Sequence, residues 1–294
     1  MRTEPPGPAK IAAQEETESS VKIGVFDSGY GGLTIYRAIR ERLPEYDYVY
    51  LGDNARTPYG HRSFEVVYRF TCEAVRYLFD EDCALIVIAC NTSSSKALRS
   101  VQQNLLPRLA PDRRVLGIIR PSVEAVAGGR RDRTIALWGT PGTVQSQSYA
   151  IELEKLSPGL RLVQVACPLL VPLVENGELE GAGLRYFLEK YWRETERHSK
   201  AVDALLLGCT HYPLLLPRIR DVVPPTIDVL SQGAIVAPSL ADYLVRHPEM
   251  EGRLSRGGTT RFLTTDVSES FDRLAELFLG QTVASERVDL PEAR

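Results

Sequence analysis

Residues 84–93, Ala-Leu-Ile-Val-Ile-Ala-Cys-Asn-Thr-Ser, and residues 204–211, Ala-Leu-Leu-Leu-Gly-Cys-Thr-His, decide the fold. Each is an aliphatic run without polar alternation, the pattern of a strand covered on both faces in a parallel sheet. Each ends in a cysteine followed by small polar residues, where such a sheet gathers its functional groups. Working outward, Val21–Phe26 reads as a strand ending in Asp27-Ser28-Gly29-Tyr30-Gly31-Gly32, and Tyr48–Leu51 as one ending at Gly52-Asp53. In the second half, Ile135–Trp138 ends in Gly139-Thr140-Pro141-Gly142, and Leu162–Ala166 ends at Cys167-Pro168. Helical spacing separates these runs. Tyr36, Ile39 and Leu43 share one face ahead of Pro44, and Phe64–Phe79 is a second helix. Leu98, Val101 and Leu105 mark a third, which Pro107 is expected to close. Thr143–Leu156, Gly183–Arg197, Ala234–Arg246 and Ser268–Leu279 follow.

The two halves overlay. The strand from Ile23 matches that from Ile135, an offset of 112, and Cys90 matches Cys209, an offset of 119. Similar offsets across strands of the same type and order predict a duplicated unit. The expected fold is α/β: two pseudo-symmetric, doubly wound parallel-sheet domains with the active site in the cleft between them. Residues 21–115 plus 232–294 are assigned to the first domain and 116–231 to the second, with Asp228–Gly233 as the crossover. Residues 1–20, rich in Pro, Glu and Ser, are expected to be a disordered tail.

Composition narrows the function. A chain of 294 residues, 44% hydrophobic, can fill two cores. A net charge of −3 gives no basic excess, so no nucleic-acid partner is expected. The longest apolar run, Ala84–Cys90, is far short of the ~18 residues that span a bilayer, and the N-terminus lacks a signal-peptide core. Five cysteines with no metal or disulfide spacing predict free thiols in a cytoplasmic protein. Oligomeric state stays open, a homodimer among the options.

A thiol at a strand end, just before a helix, is expected to be acidified by backbone N–H groups. Two such thiols in matching units would face each other across a cleft. Racemisation needs just that and no cofactor: one base removes the Cα proton, and an acid on the other face returns one. A redox pair fits less well, because thiols holding a substrate between them exceed the ~7 Å Cα separation of a disulfide. Asp27 can reach the Cys90 region and His211 can poise Cys209, while Glu175 is a third candidate. By position alone, Asp27 could equally be a turn or N-cap residue, His211 a loop histidine and Glu175 a surface acid.

At these residues the chain resembles the glutamate racemase family. FDSGYGGLT, LGDNARTPYG, ACNTSSS, ACPLLVPLVENG and GCTHYPLL occur in that family's order and rough spacing, from about Val21 to Leu215. The resemblance implies cofactor-independent interconversion of L- and D-glutamate, supplying D-glutamate for peptidoglycan. It implies Cys90 and Cys209 as the two acid/base thiols, the former abstracting from D-glutamate and the latter from L-glutamate. Asp27 would assist Cys90, and Glu175 with His211 would assist Cys209. Substrate would be held by Asp27, Ser28, Tyr59, Gly60, Asn91, Thr92, Thr210 and His211. Neutral hydroxyl and amide donors at these strand ends suit a dicarboxylic substrate. Two positions depart from the family's usual pattern: Arg120-Pro121 where Glu-Pro is common, and Asp228–Gly233 where Asp-Ser-Gly is common. Neither is in the catalytic set.

Other readings remain. A racemase for aspartate or another amino acid would use the same residues, and a non-catalytic small-ligand binding module would use the same cleft. The Gly29-Tyr30-Gly31 loop has Thr34 where a dinucleotide site needs glycine. Cys209 and His211 lack further zinc ligands at known spacing, so no metal is expected.

Overall fold

A computed structural model describes residues 21–128 and 133–291. The tail expected over residues 1–20 lies outside the described residues. In chain order the strands are β1 (Lys22–Asp27), β2 (Tyr48–Gly52), β3 (Cys83–Ile88), β4 (Arg114–Gly117), β5 (Thr134–Gly139), β6 (Arg161–Ala166), β7 (Ala204–Gly208), β8 (Asp228–Ser231), β9 (Thr260–Thr264) and β10 (Ser285–Arg287). They form two wholly parallel sheets. One has the order β10-β9-β2-β1-β3-β4 and the other β6-β5-β7-β8. The order β2-β1-β3-β4 is repeated as β6-β5-β7-β8, which is the duplication the sequence overlay predicts.

Continuous aliphatic runs form the central strands because both faces are covered. On β1 and β3, Ile23, Val25, Leu85 and Val87 face one way, joining a cluster that also holds Trp138, Leu205 and Leu207 of the second sheet. Phe26, Ile86 and Ile88 face the other way, with Val67, Val75 and Leu78 of helix Phe64–Asp80. On the second sheet Ile135, Leu137 and Leu206 pack with Val123 of helix Ile119–Ala127 and Tyr149 and Leu153 of helix Ser148–Leu156. Burying each such side chain contributes about 2 kcal/mol. Helix Leu33–Arg42 packs on helix Gly233–Arg246, so the chain's return from the second sheet is locked onto the first.

Three expectations are corrected. Pro107 does not end its helix: the chain passes through a wide π turn, Val101–Leu105, into helix Leu106–Leu109. Pro107 sits in the first turn of that last segment, where its missing N–H is not needed. Thr143–Leu156 is not one helix but two, Pro141–Gln145 and Ser148–Leu156, broken at Gln147, whose φ is 55°. Asp228–Gly233 is not simply a crossover, because Asp228–Ser231 pairs in parallel with β7 as β8. β4, β9 and β10 went unread; the last two extend the first sheet beside β2.

Candidate active site

The strand ends align the chemistry. Phe26 pairs with Ile88 and Trp138 pairs with Leu207. Cys90 and Cys209 therefore each stand two residues beyond an equivalent rung of their sheets. Both line one cavity of about 230 Å³, and they are 6% and 5% exposed. Every residue expected at the site lines it too: Asp27, Ser28, Tyr59, Gly60, Asn91, Thr92, Glu175, Thr210 and His211.

Around Cys90, the Ser28 hydroxyl lies 3.2 Å from the sulfur and the Ser93 amide donates to it at 3.4 Å. The expected acidification does not follow. Burial, and then the Asp27 carboxylate, push the Cys90 thiol up to about 11, outweighing those hydrogen bonds. A short helix start cannot repay the cost of charging a sulfur out of water. Asp27 is itself raised by burial, against the pull of His211 and the amides of Gly32 and Gly29. Its Oδ2 accepts from the Gly29 amide at 2.9 Å, while Oδ1 is buried without a hydrogen-bond partner among the described residues.

Around Cys209, the imidazole bridges two groups. His211 Nδ1 lies 3.8 Å from the sulfur and Nε2 lies 2.9 Å from Glu175 Oε1. Burial alone would push this ring's pKa down, but the hydrogen bonds and charges of Cys209 and Glu175 push it up to about 10. The result is a relay from Glu175 through His211 to the thiol. Gly31 brings the first unit against it, since a Cβ there would collide with His211 Nδ1 and Thr210 Oγ1. Thr34 Oγ1 lies 2.9 Å from the carbonyl oxygens of both Gly31 and Thr210.

The remaining walls combine apolar residues, Pro58, Pro141, Pro168, Val171 and Pro172 among them, with hydroxyl and amide groups. Thr92 and Thr140 hydroxyls meet at 3.0 Å across the cleft, and Thr140 also caps helix Pro141–Gln145 by accepting from the Thr143 amide at 3.2 Å. The Tyr59 hydroxyl is turned away to Asp53, which Arg56 also holds at 2.7 Å. Tyr59 thus offers the cavity its ring. The Asn91 amide is engaged by Tyr149 and Gln232. Among the described residues, no lysine or arginine lines the cavity. Nor is there a cluster of three or more His, Cys, Asp or Glu groups placed to hold a metal ion among them.

Sequence reasoning missed Thr57, Pro58, His61, Thr140, Pro141, Cys167, Pro168, Val171, Pro172 and Asn176 on the cavity wall. Thr140 could have been found, because the internal overlay sets it opposite Ser28. The apolar wall Val171-Pro172 carries no such signal.

The family model for Asp/Glu/hydantoin racemases matches residues 23–237. The chain belongs to that family. Glutamate racemase from Dinoroseobacter shibae is 38% identical to this racemase over 277 residues, 91% of this chain and 98% of the relative. That of Paracoccus denitrificans is 39% identical over 276 residues, 90% and 98% of the two chains. Among solved structures, glutamate racemase isoform RacE1 from Bacillus anthracis superposes with a TM-score of 0.84 at 33% identity, covering 94% of this chain and all of that one. Glutamate racemase from Francisella tularensis, solved with D-glutamate, gives 0.81 at 29% identity over 92% of this chain and 98% of its own. An aspartate racemase homologue from Pyrococcus horikoshii shares the fold, with a TM-score of 0.51 at 19% identity over 76% of this chain and 99% of its own. No helix of the described residues is long and apolar enough to cross a membrane.

Proposed function

We propose that this racemase interconverts L- and D-glutamate without a cofactor, with Cys90 and Cys209 as acid and base on opposite faces of Cα. The observation that carries this reading is that two equivalent strand-end cysteines share one cavity, each with its own polar partners. The similarity to glutamate racemases, one of them solved with D-glutamate, supports the choice of substrate.

In a turnover one sulfur is a thiolate and the other a thiol. The thiolate takes the Cα proton, and the electron pair left on Cα spreads into the α-carboxylate. The opposite thiol then delivers its proton to the other face, so thiol and thiolate exchange places. Cys90, held up to about 11, is suited to wait as the thiol. The His211 ring, protonated between Cys209 and Glu175, is suited to stabilise a thiolate at Cys209. That resting state abstracts from L-glutamate through Cys209, and the exchanged state abstracts from D-glutamate through Cys90. The substrate ammonium would pair with the Asp27 carboxylate, whose Oδ1 is buried and unpartnered among the described residues. Threonine hydroxyls and backbone amides, rather than cations, receive the carboxylates. The product would serve peptidoglycan synthesis.

The test is a panel of L-amino acids incubated with the enzyme in deuterated water and followed by proton NMR. Loss of the Cα signal with inversion is expected for glutamate alone. Exchange of aspartate in preference to glutamate would replace the substrate assignment, and exchange of none would leave a binding module.

A further inference from the structure

Asn91, Ser122, Tyr149 and Gln232 form a buried polar ring of which only Asn91 lines the cavity. None is more than 3% exposed. They come from four segments. Asn91 opens helix Asn91–Lys96 directly after Cys90, and Tyr149 lies on helix Ser148–Leu156 of the second unit. Ser122 lies on helix Ile119–Ala127, where the chain passes from the first sheet to the second. Gln232 lies between β8 and helix Gly233–Arg246, where it passes back.

The bonds form a closed circuit. Tyr149 Oη donates to Asn91 Oδ1 at 2.6 Å, and Asn91 Nδ2 donates to Gln232 Oε1 at 2.5 Å. Gln232 Nε2 donates to Tyr149 Oη at 2.9 Å and to Ser122 Oγ at 2.8 Å. Ser122 Oγ donates onward to the Ile118 carbonyl at 2.7 Å. Both amides therefore have one orientation, and both hydroxyls have one direction. Burial holds the Tyr149 phenol well above its ordinary range, so it remains a donor. Burying four polar side chains is costly unless each is satisfied, and a satisfied network fixes geometry more sharply than apolar packing does. This one joins both crossing segments to the residue that follows Cys90.

We propose that this ring is an interdomain clamp in which Tyr149 and Gln232 are positioning residues, setting through Asn91 the alignment of Cys90 with Cys209 across the substrate. The inference rests on the two-cysteine reading. Tyr149→Phe breaks the circuit at two bonds and Gln232→Leu at three, and neither residue lines the cavity.

Each variant of the full chain is assayed with L- and D-glutamate for kcat and KM. The ratio of the inversion rate in ordinary water to that in deuterated water is also measured for each variant. Misalignment of a reacting group by a fraction of an ångström to one ångström lowers kcat by about 10- to 100-fold while KM stays within about threefold. The ratio rises, because return of the abstracted proton to the same face outruns delivery from the opposite one, so that delivery, whose hydrogen comes from solvent, limits the rate. This ratio does not depend on how much of the enzyme is folded, so a merely structural defect leaves it at the wild-type value. An unchanged ratio in both variants overturns the clamp, as does a change in KM alone. Should Tyr149→Phe give no soluble protein, Gln232→Met, closer in volume, is read by the same ratio. Wild-type enzyme that exchanges no glutamate instead overturns the underlying reading, which keeps the two failures apart.

Discussion

His211 shows how a single side chain is set by competing forces. Complete burial favours the neutral ring, yet Cys209 on one nitrogen and Glu175 on the other hold it protonated up to about pH 10, against an ordinary 6.5. Because the folded value is raised, protonated His211 stabilises the fold in full below about pH 6.5, and this contribution is lost as pH rises through about 10. Thermal unfolding of wild type and His211→Asn is therefore expected to show a gap in Tm that is widest near pH 6 and narrows by about pH 10.5. A gap that stays constant or widens over that range contradicts the protonated relay. Cys90 carries the opposite lesson. Its position after a strand and before a helix was legible, but its pKa was not. The acidifying amides are local, whereas the burial and the Asp27 charge that overcome them come from strands far apart in sequence.

At the scale of elements, the central strands read directly because both their faces are buried, and the place of each cavity-lining cysteine follows from where its strand stops. Edge strands were harder. β8 and β10 are 4 and 3 residues long and partly exposed, so they carry little aliphatic signal and pair only because a neighbour offers an open edge. The break at Gln147 was hidden for another reason: nothing in its composition asks for a turn, and the chain accepts φ 55° there without glycine. The left-handed conformation costs a β-branched residue most. Gln147→Val is expected to destabilise the protein by about 1–2 kcal/mol, whereas Gln147→Gly is not, as measured by urea unfolding. Equal stability of the two variants would mean that the break is not held in the left-handed conformation.

The described residues build a four-strand unit used twice, with two further strands added to the first copy. One hydrophobic cluster runs through both sheets, and two helices, Leu33–Arg42 and Gly233–Arg246, lock the return crossing. This arrangement explains how two cysteines 119 residues apart come to line one cavity. The overlay of strands and the motif order made that meeting legible from sequence. The ring of Asn91, Ser122, Tyr149 and Gln232 was not, since its members share no spacing and are joined only by the crossing of four segments. The two copies differ at the cleft: Ser28 and Asp27 lie beside Cys90, whereas His211, itself bonded to Glu175, lies beside Cys209.

The most direct test of the two-sulfur account is the rate of Cα inversion by Cys90→Ala and Cys209→Ala, each followed from both L- and D-glutamate by circular dichroism. Loss of an acid/base group costs about 10²- to 10⁴-fold, and because every turnover needs both groups, each variant should lose inversion in both directions. Inversion at the wild-type rate by either variant, from either enantiomer, would contradict the account.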